Sequence, residues 1–189
     1  MSLPKSPVIL PTDLANVTNG ALPDSLLRTI GPAGGRLHSL AARAWFGLFV
    51  AAKAAGHSLT YTPGGCYRTF QQQADLFPRR WTTRPIPGRP TTVYAGQRWW
   101  LMRGMARAAR PGTSNHGYGL AIDLATGDTP AAATNLTPAA LRWIINNAES
   151  LGWSAELDSE PWHWRYFAGD RLPQRVLDIE QFLAAAGKP

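Results

Sequence analysis

The sequence predicts an α+β domain with a small, mainly antiparallel sheet flanked by helices. Segments of helical periodicity and short strand-like segments follow one another without the regular alternation that builds a parallel sheet. The length of 189 residues, with 44% hydrophobic and 16% charged residues, suits a single globular domain over residues 1–189. Residues 1–35 show no clear period, so we expect an irregular N-terminal arm there with one helical turn at 23–29.

Four segments carry the apolar spacing and the end signals of helices. In the strongest, apolar residues recur on one face from Leu37 to Leu48, and Gly56 follows the last turn. Another has Thr137 as its N-cap residue and a proline directly after it. The predicted helices are, in chain order, residues 36–55, 70–77, 138–152 and 173–185.

Short alternating or aromatic runs predict the strands, and glycine and proline interrupt them. The predicted strands are residues 59–61, 97–102, 119–124 and 162–167. An Arg- and Pro-rich segment, residues 78–98, matches no helix or strand pattern, so we expect a long loop there. This loop is either a solvent-exposed surface segment or one that influences substrate choice.

Composition limits the chemistry. The single cysteine, Cys66, excludes an internal disulfide and every zinc or iron–sulfur site that needs two or more thiolates, so His and carboxylate must hold any metal. The net charge of +7 indicates an anionic partner. We find no basic helix or aromatic RNA motif, no apolar run long enough for a membrane span and no signal-peptide pattern, so neither nucleic acid nor a membrane span is expected.

The segment from Ser114 to Asp123 sets three polar residues, Ser114, His116 and Asp123, among small and apolar ones. Gly117 and Gly119 allow tight turns beside the histidine. A carboxylate within an apolar strand needs a cation, a metal or several N–H donors. The alternative is that Asp123 is an ordinary turn or cap carboxylate, which its apolar flanks disfavour.

A second segment places Glu160 three residues before His163, which lies between two tryptophans. A lone histidine there would be a core residue with one hydrogen bond. Together with His116 and Asp123, however, it completes the two-His, one-carboxylate set that holds catalytic zinc. Glu160 is then the predicted general base, with Asp158 as a rival two residues earlier.

Arg68 follows a Gly-Gly turn at the end of a predicted strand. A guanidinium at this position can point into a site and stabilise the oxyanion of a tetrahedral intermediate. A surface cation is an equally good interpretation of its spacing. Cys66 two residues earlier is expected to be a small buried packing residue rather than a nucleophile.

Together these segments resemble the M15 family of zinc peptidases, which includes VanY-type D-Ala-D-Ala carboxypeptidases and phage L-alanyl-D-glutamate endopeptidases. The Tyr67-Arg68-Thr69 run and Gln73 are similar to a further family pattern. Cys66 departs from it, because the family has glycine there. The residues that match the two main motifs are Ser114, His116, Gly119, Ala121, Asp123, Glu160, Trp162 and His163.

The resemblance implies a hedgehog/DD-peptidase-like fold and Zn²⁺ as cofactor. It implies that His116, Asp123 and His163 bind the metal, that Glu160 is the general base and then the acid, and that Arg68 steadies the carbonyl oxygen. The residues it implies for substrate contact are Ser114, Gln73 and Tyr67.

The implied activity is hydrolysis of peptidoglycan stem peptides. We expect an endolysin-type L-Ala-D-Glu endopeptidase, with a VanY-type D-Ala-D-Ala carboxypeptidase as the alternative and a non-catalytic wall-binding module as a weaker one. The expected partners are the stem peptide and the anionic cell wall, and the expected state is a monomer. The protein would be made in the host cytoplasm and act on the wall after release, or be secreted if a signal peptide has been removed.

Overall fold

The computed structural model describes residues 2–31 and 33–187 and confirms the α+β class. Its helices are α1 (Ser39–Ala54), α2 (Phe70–Leu76), α3 (Pro138–Asn147) and α4 (Gln174–Ala185). Its strands are β1 (Leu27–Thr29), β2 (Arg36–His38), β3 (Leu59–Tyr61), β4 (Trp81–Thr82), β5 (Thr91–Tyr94), β6 (Gln97–Leu101), β7 (Ala121–Thr126), β8 (Trp153–Ala155) and β9 (His163–Tyr166). None of the helices in this described part of the chain has the length and apolar character needed to cross a bilayer.

The central layer is a four-stranded antiparallel sheet with the order β3-β7-β9-β8. The main core lies between this sheet and α1, whose Ala41, Ala44 and Leu48 are wholly buried. Their spacing of three and four residues gives the helix one continuous apolar face. From the sheet side, the large rings of Trp153 and Trp164 fill the same core.

The first helix begins three residues later than its periodicity predicts. Residues 36–38 form β2, which pairs antiparallel with β1, so that this stretch is extended rather than helical. The buried His38 then serves as the N-cap residue of α1, where its ring accepts a hydrogen bond from the Leu40 N–H. Pairing with the preceding strand, β1, therefore overrides the local helical pattern.

Two other predicted elements are shorter than expected. α3 ends at Asn147, and the rest of the predicted helix is a 3-10 turn, Glu149–Leu151, closed by Gly152 with φ of 86°. The helix α2 ends at Leu76, one residue before its predicted end. It begins directly after Thr69, whose hydroxyl accepts from the Gln72 N–H in a capping box. The predicted strand at 59–61 is confirmed, whereas β8 was not predicted.

The Arg- and Pro-rich segment is not a structureless loop. Strands β4, β5 and β6 form a separate three-stranded antiparallel sheet in the order β4-β6-β5. This sheet has its own small core of Phe77, Trp81, Leu101 and Ala108, apart from the main one. The indole N–H of Trp81 closes the unit by donating to the Ala108 carbonyl at 2.8 Å. We call residues 78–110 the arginine module.

The N-terminal arm contains only short elements and is packed into the domain. Leu3, Leu14 and Leu22 belong to the main core. Residues 4–6 run along β8, where the Ala155 N–H donates to the Pro4 carbonyl at 3.0 Å. The arm also contains β1, so the predicted helical turn at 23–29 is a short 3-10 turn followed by a strand.

Candidate active site

His116 lies in a 3-10 turn, Asn115–Tyr118, that leads into β7. The turn ends at Gly119, whose φ of 64° is in the left-handed region. A Cβ atom at this position would lie 2.7 Å from the backbone nitrogen of His38. Only glycine fits this position without strain. The buried His116 Nδ1–H donates to the Cys66 carbonyl at 2.9 Å, which leaves its Nε2 atom facing the site.

Asp123 and His163 are direct partners across two neighbouring strands. The register of β7 and β9 pairs these two residues, so both side chains project from adjacent positions of the sheet. His163 Nδ1 lies 3.0 Å from Asp123 Oδ1, and His116 Nε2 lies 3.5 Å from the same oxygen. Two residues 40 positions apart in the chain are thus brought together by strand pairing.

Glu156 is a site residue that the sequence did not reveal. It follows β8, whose pairing with β9 places it opposite His163. The His163 Nε2–H donates to Glu156 Oε2 at 2.8 Å, and the Asn115 side-chain N–H donates to the same oxygen at 3.0 Å. The carboxylate therefore fixes the ring so that Nδ1 faces Asp123.

These contacts fit a metal site. The candidate ligand atoms of His116, Asp123 and His163 all lie within 4.8 Å of one another. Each imidazole has one nitrogen hydrogen-bonded to an oxygen, a carbonyl in one case and a carboxylate in the other, and the second nitrogen turned toward the cluster. This is the outer-sphere arrangement typical of metal-binding histidines. Two imidazoles and a carboxylate suit zinc.

The pKa values reflect the close packing of these charges. Burial lowers the pKa of His116, which favours the neutral ring that a metal needs. Burial also opposes the charge on His163, but its hydrogen bonds with Asp123 and Glu156 prevail and raise its pKa to about 9. The two histidines in turn hold the pKa of Asp123 well below its ordinary value, against the effect of burial.

Glu160 lines the same cavity and is largely buried, with 8% of its surface exposed. Its Oε1 accepts a hydrogen bond from the Arg107 backbone N–H at 3.1 Å. Burial raises the pKa of this carboxyl, in the direction that a general base near neutral pH requires. The rival base Asp158 points elsewhere, because it binds Lys5 and the Leu3 N–H.

Arg68 is inside the site rather than on the surface. Its guanidinium is 15% exposed, lies 3.8 Å from Asp123 Oδ2 and donates to Gln73 Oε1 at 2.7 Å. The Arg68 backbone N–H donates to the His116 carbonyl, which ties the two segments together. The arginine is thus available to an oxygen bound beside the metal cluster.

Two residues expected to contact substrate are placed differently. Gln73 is 2% exposed. Its amide oxygen accepts from Arg68 and its amide N–H donates to the Ala109 carbonyl, so that the side chain positions Arg68. The Tyr67 hydroxyl accepts from the Leu22 N–H, and its ring lies under Arg36. Ser114 does line the cavity, where its hydroxyl accepts from the His116 N–H.

Cys66 is buried against the core, and burial raises the pKa of its thiol. A thiol in this state is a poor nucleophile. Its backbone carbonyl, which accepts from His116, is the part that serves the site.

The cavity at the cluster has a volume of about 370 Å³, and Arg80, Arg107 and Arg110 contribute to its wall. A second cavity of about 430 Å³ shares Arg68, Arg80 and Asp123 with the first. The two cavities therefore adjoin at these residues.

The family model described as VanY, D-alanyl-D-alanine carboxypeptidase, matches residues 34–169 of the chain. This range includes the metal cluster, Glu160, Arg68 and the whole arginine module. No curated protein matches the chain.

Solved structures of the same fold include a variant of the vancomycin resistance D,D-pentapeptidase VanY from a VanB-type cassette, in complex with Zn(II). The chain is 18% identical to it, with a TM-score of 0.56 and coverage of 95% of this chain and 92% of that one. VanYB in complex with D-alanine-D-alanine matches at 20% identity with the same TM-score and coverage. The D,D-dipeptidase VanXYg, with a D-Ala-D-Ala phosphinate analogue, matches at 16% identity and a TM-score of 0.52, covering 94% of this chain and 71% of that one.

Proposed function

Because the chain belongs to the VanY family of D-alanyl-D-alanine carboxypeptidases, and is therefore a peptidase, we propose that it removes the terminal D-Ala of peptidoglycan stem peptides in a zinc-dependent reaction. The observation that carries the proposal is that the His116, Asp123 and His163 cluster, Glu160 and Arg68 line one cavity. Metal, base and oxyanion donor are the parts that metal-assisted hydrolysis needs.

We infer that His116, Asp123 and His163 hold the zinc. When bound at such a site, zinc lowers the pKa of a coordinated water to about 7 and polarises a carbonyl. The solved VanY variant described above contains Zn(II), which supports the choice of metal.

The protein's own groups then move the proton and stabilise the charge. Glu160, held by the Arg107 N–H, accepts the proton of the attacking water and returns it to the leaving amine. Arg68, held by Gln73, donates to the oxygen on which negative charge develops. Burial of both side chains strengthens these interactions, because little water competes for them.

A carboxypeptidase must also bind the free carboxylate of its substrate. Arg80 and Arg107 lie on the cavity wall, and neither forms an ion pair with an acidic side chain among the described residues. A guanidinium can bind a carboxylate through two parallel hydrogen bonds. These two arginines are therefore our candidates for the terminal carboxylate, and they favour the carboxypeptidase activity.

The L-Ala-D-Glu endopeptidase activity is a second candidate. It is favoured by the second cavity, which adjoins the first at Arg68 and Asp123, since an endopeptidase needs room for chain on both sides of the cut. In both cases the substrate lies in the cell wall, and we propose the wall as the place of action, after release or secretion.

One experiment separates the two activities. The zinc-loaded protein is incubated with a soluble pentapeptide that ends in D-Ala-D-Ala, and separately with purified peptidoglycan, and the products are identified by mass spectrometry. Free D-Ala supports the carboxypeptidase, and a newly exposed N-terminal D-Glu supports the endopeptidase. If neither product exceeds that of a Glu160→Gln control, the proposed function is wrong.

A further inference from the structure

The positive charge of the protein is concentrated in the arginine module. Residues 78–110 contain eight of the 19 basic residues and no acidic residue. The remaining 156 residues hold 11 basic and 12 acidic side chains, so they are close to neutral. The net charge of +7 is thus a property of one small sheet and its loops, not of the whole surface.

These arginines are not used to hold the fold together by ion pairs. No arginine of the module forms a salt bridge with a carboxylate in the described ranges 2–31 and 33–187. The guanidinium of Arg89 donates hydrogen bonds to two main-chain carbonyls, those of Leu101 and Met102. The exposed arginines of the module are Arg79, Arg84, Arg98, Arg103, Arg107 and Arg110. A folded unit that keeps six cations exposed, with no carboxylate partner in the part of the chain that the structure describes, is suited to an anionic partner.

The module is also continuous with the active site. Its residues Arg80, Arg107 and Arg110 line the catalytic cavity, and the Arg107 N–H binds Glu160. A polymer whose peptide lies in the cavity is therefore next to the module. Its small separate core gives this surface a fixed shape.

We propose that the arginine module is a docking surface for the carboxylates of peptidoglycan next to the stem peptide being cut. The proposal rests on the proposed function, since it assigns the partner from the substrate in the cavity. Stem peptides carry several carboxylates, and arginine binds this planar group with two hydrogen bonds. One polymer then occupies both the cavity and the module, which favours it over a separate phosphate-bearing polymer.

The test measures binding to insoluble peptidoglycan freed of teichoic acid and nucleic acid, by co-sedimentation of the zinc-loaded Glu160→Gln protein. A module variant carries Arg84→Gln, Arg98→Gln and Arg103→Gln, three exposed positions that do not line the cavity. A matched control carries Lys53→Gln, Arg142→Gln and Arg171→Gln, three exposed cations outside the module. Both variants lose the same net charge, so only the location differs.

We expect the module variant to bind roughly tenfold more weakly, and the control to bind within about twofold of the parent. Amidation of the peptidoglycan carboxylates should weaken binding of the parent to a similar extent. Equal loss in both variants, undiminished binding to amidated peptidoglycan, or binding only when teichoic acid is retained would each overturn the proposal.

Release of D-Ala from the soluble pentapeptide is measured in parallel with the same substitutions in the Glu160 background. Arg84, Arg98 and Arg103 do not line the cavity in which the soluble peptide binds, so we expect its turnover to persist. Failure of this reaction in every variant counts against the proposed function, while co-sedimentation still reports on the docking surface.

Discussion

His163 is held between two carboxylates, Asp123 and Glu156, which face its two ring nitrogens from neighbouring strands. Without a metal, this environment favours the protonated ring and raises its pKa to about 9 despite burial. A zinc ion can bind the ring only after that proton has left. The strength of metal binding is therefore linked to pH through this one residue.

We predict that zinc affinity rises with pH. The raised pKa means that His163 carries a proton below about pH 9, and zinc must displace it, so the dissociation constant should fall about tenfold per pH unit from pH 6 to pH 8. Competition with a chromophoric chelator measures this constant, and calorimetry in two buffers counts the released proton. A constant that is independent of pH in this range would contradict the prediction.

Glu160→Gln should leave the metal in place and remove turnover. The amide keeps the size and hydrogen-bonding capacity of the side chain but cannot accept a proton, so we expect kcat to fall by about 10²–10⁴. In the unsubstituted protein, the raised pKa of Glu160 means that the base is lost at a higher pH than the ordinary value of 4.5 as the solution is acidified. The checks are zinc content by elemental analysis and the pH profile of kcat/KM. Full activity of the variant would reject Glu160 as the base.

Glu156→Ala should weaken zinc binding about 10- to 100-fold, because His163 loses the acceptor that orients it. Glu156→Gln retains an acceptor oxygen and should restore part of the affinity. Asp158→Ala, at a carboxylate that contacts the arm instead of the site, is the matched control. Equal affinities in all three variants would show that Glu156 does not position the ligand.

The sequence could identify the residues whose chemistry is unusual in their local setting. Asp123 in an apolar run and His163 between tryptophans stand out, and the structure brings both to one cluster with His116. Glu156 could not be found in this way, because its role depends on the pairing of β8 with β9 and β8 itself was not predicted. The sequence position of Gln73 likewise does not show that its side chain is buried.

At the scale of elements, the errors lie where strand pairing competes with the local sequence pattern. Residues 36–38 have helical periodicity, but hydrogen bonds to β1 make them a strand. The segment 78–98 has the prolines and glycines of a loop, yet aromatic packing around Phe77 stabilises a small sheet. Helices with strong end signals were better predicted, as Thr137 and Pro138 show at the start of α3.

The N-terminal arm supports the turn that carries His116. The Asn19 side-chain N–H donates to the Ser114 carbonyl at 2.8 Å in a buried position, and the Gly20 N–H donates to the Gly117 carbonyl. Irregular chain can be ordered in this way when its backbone groups find partners in the elements beside it.

We predict that Asn19→Ala lowers both stability and metal affinity. The substitution removes one of the two hydrogen bonds to the buried Ser114 carbonyl and leaves that of the Gly117 N–H, so we expect a loss of about 1–1.5 kcal/mol of unfolding free energy and a fall in Tm of roughly 2–6 °C. Thermal unfolding with and without zinc measures the two effects. The exposed Asn135→Ala serves as control. A Tm within about 1 °C of the parent would contradict this role of the arm.

At the scale of the whole molecule, the metal cluster joins segments that lie far apart in the chain. His116 precedes β7, Asp123 lies within it and His163 begins β9, so a bound ion links both strands and the turn. A ligand that binds the folded chain alone stabilises all of it.

Removal of the metal should therefore lower Tm of the entire domain. With free zinc at about 1,000 times its dissociation constant, the linkage contributes about 4 kcal/mol, and chelation should lower Tm on the order of 10 °C. Differential scanning calorimetry with and without a chelator measures the shift. A His116→Ala variant should show no such shift, and a shift of the same size in that variant would place the stabilising metal elsewhere.

The contact between residues 4–6 and β8 has a consequence for solubility. β8 is the outermost strand of the main sheet, and its free backbone groups would otherwise offer a pairing surface to another chain. On that side the Pro4 carbonyl accepts from the Ala155 N–H, and the Ser6 N–H donates to the Ser154 hydroxyl. The ring of Pro4 has no N–H with which to extend the ladder. The arm thus protects the sheet from strand-to-strand self-association, so that a protein shortened at this end would be prone to aggregate even with every catalytic group in place.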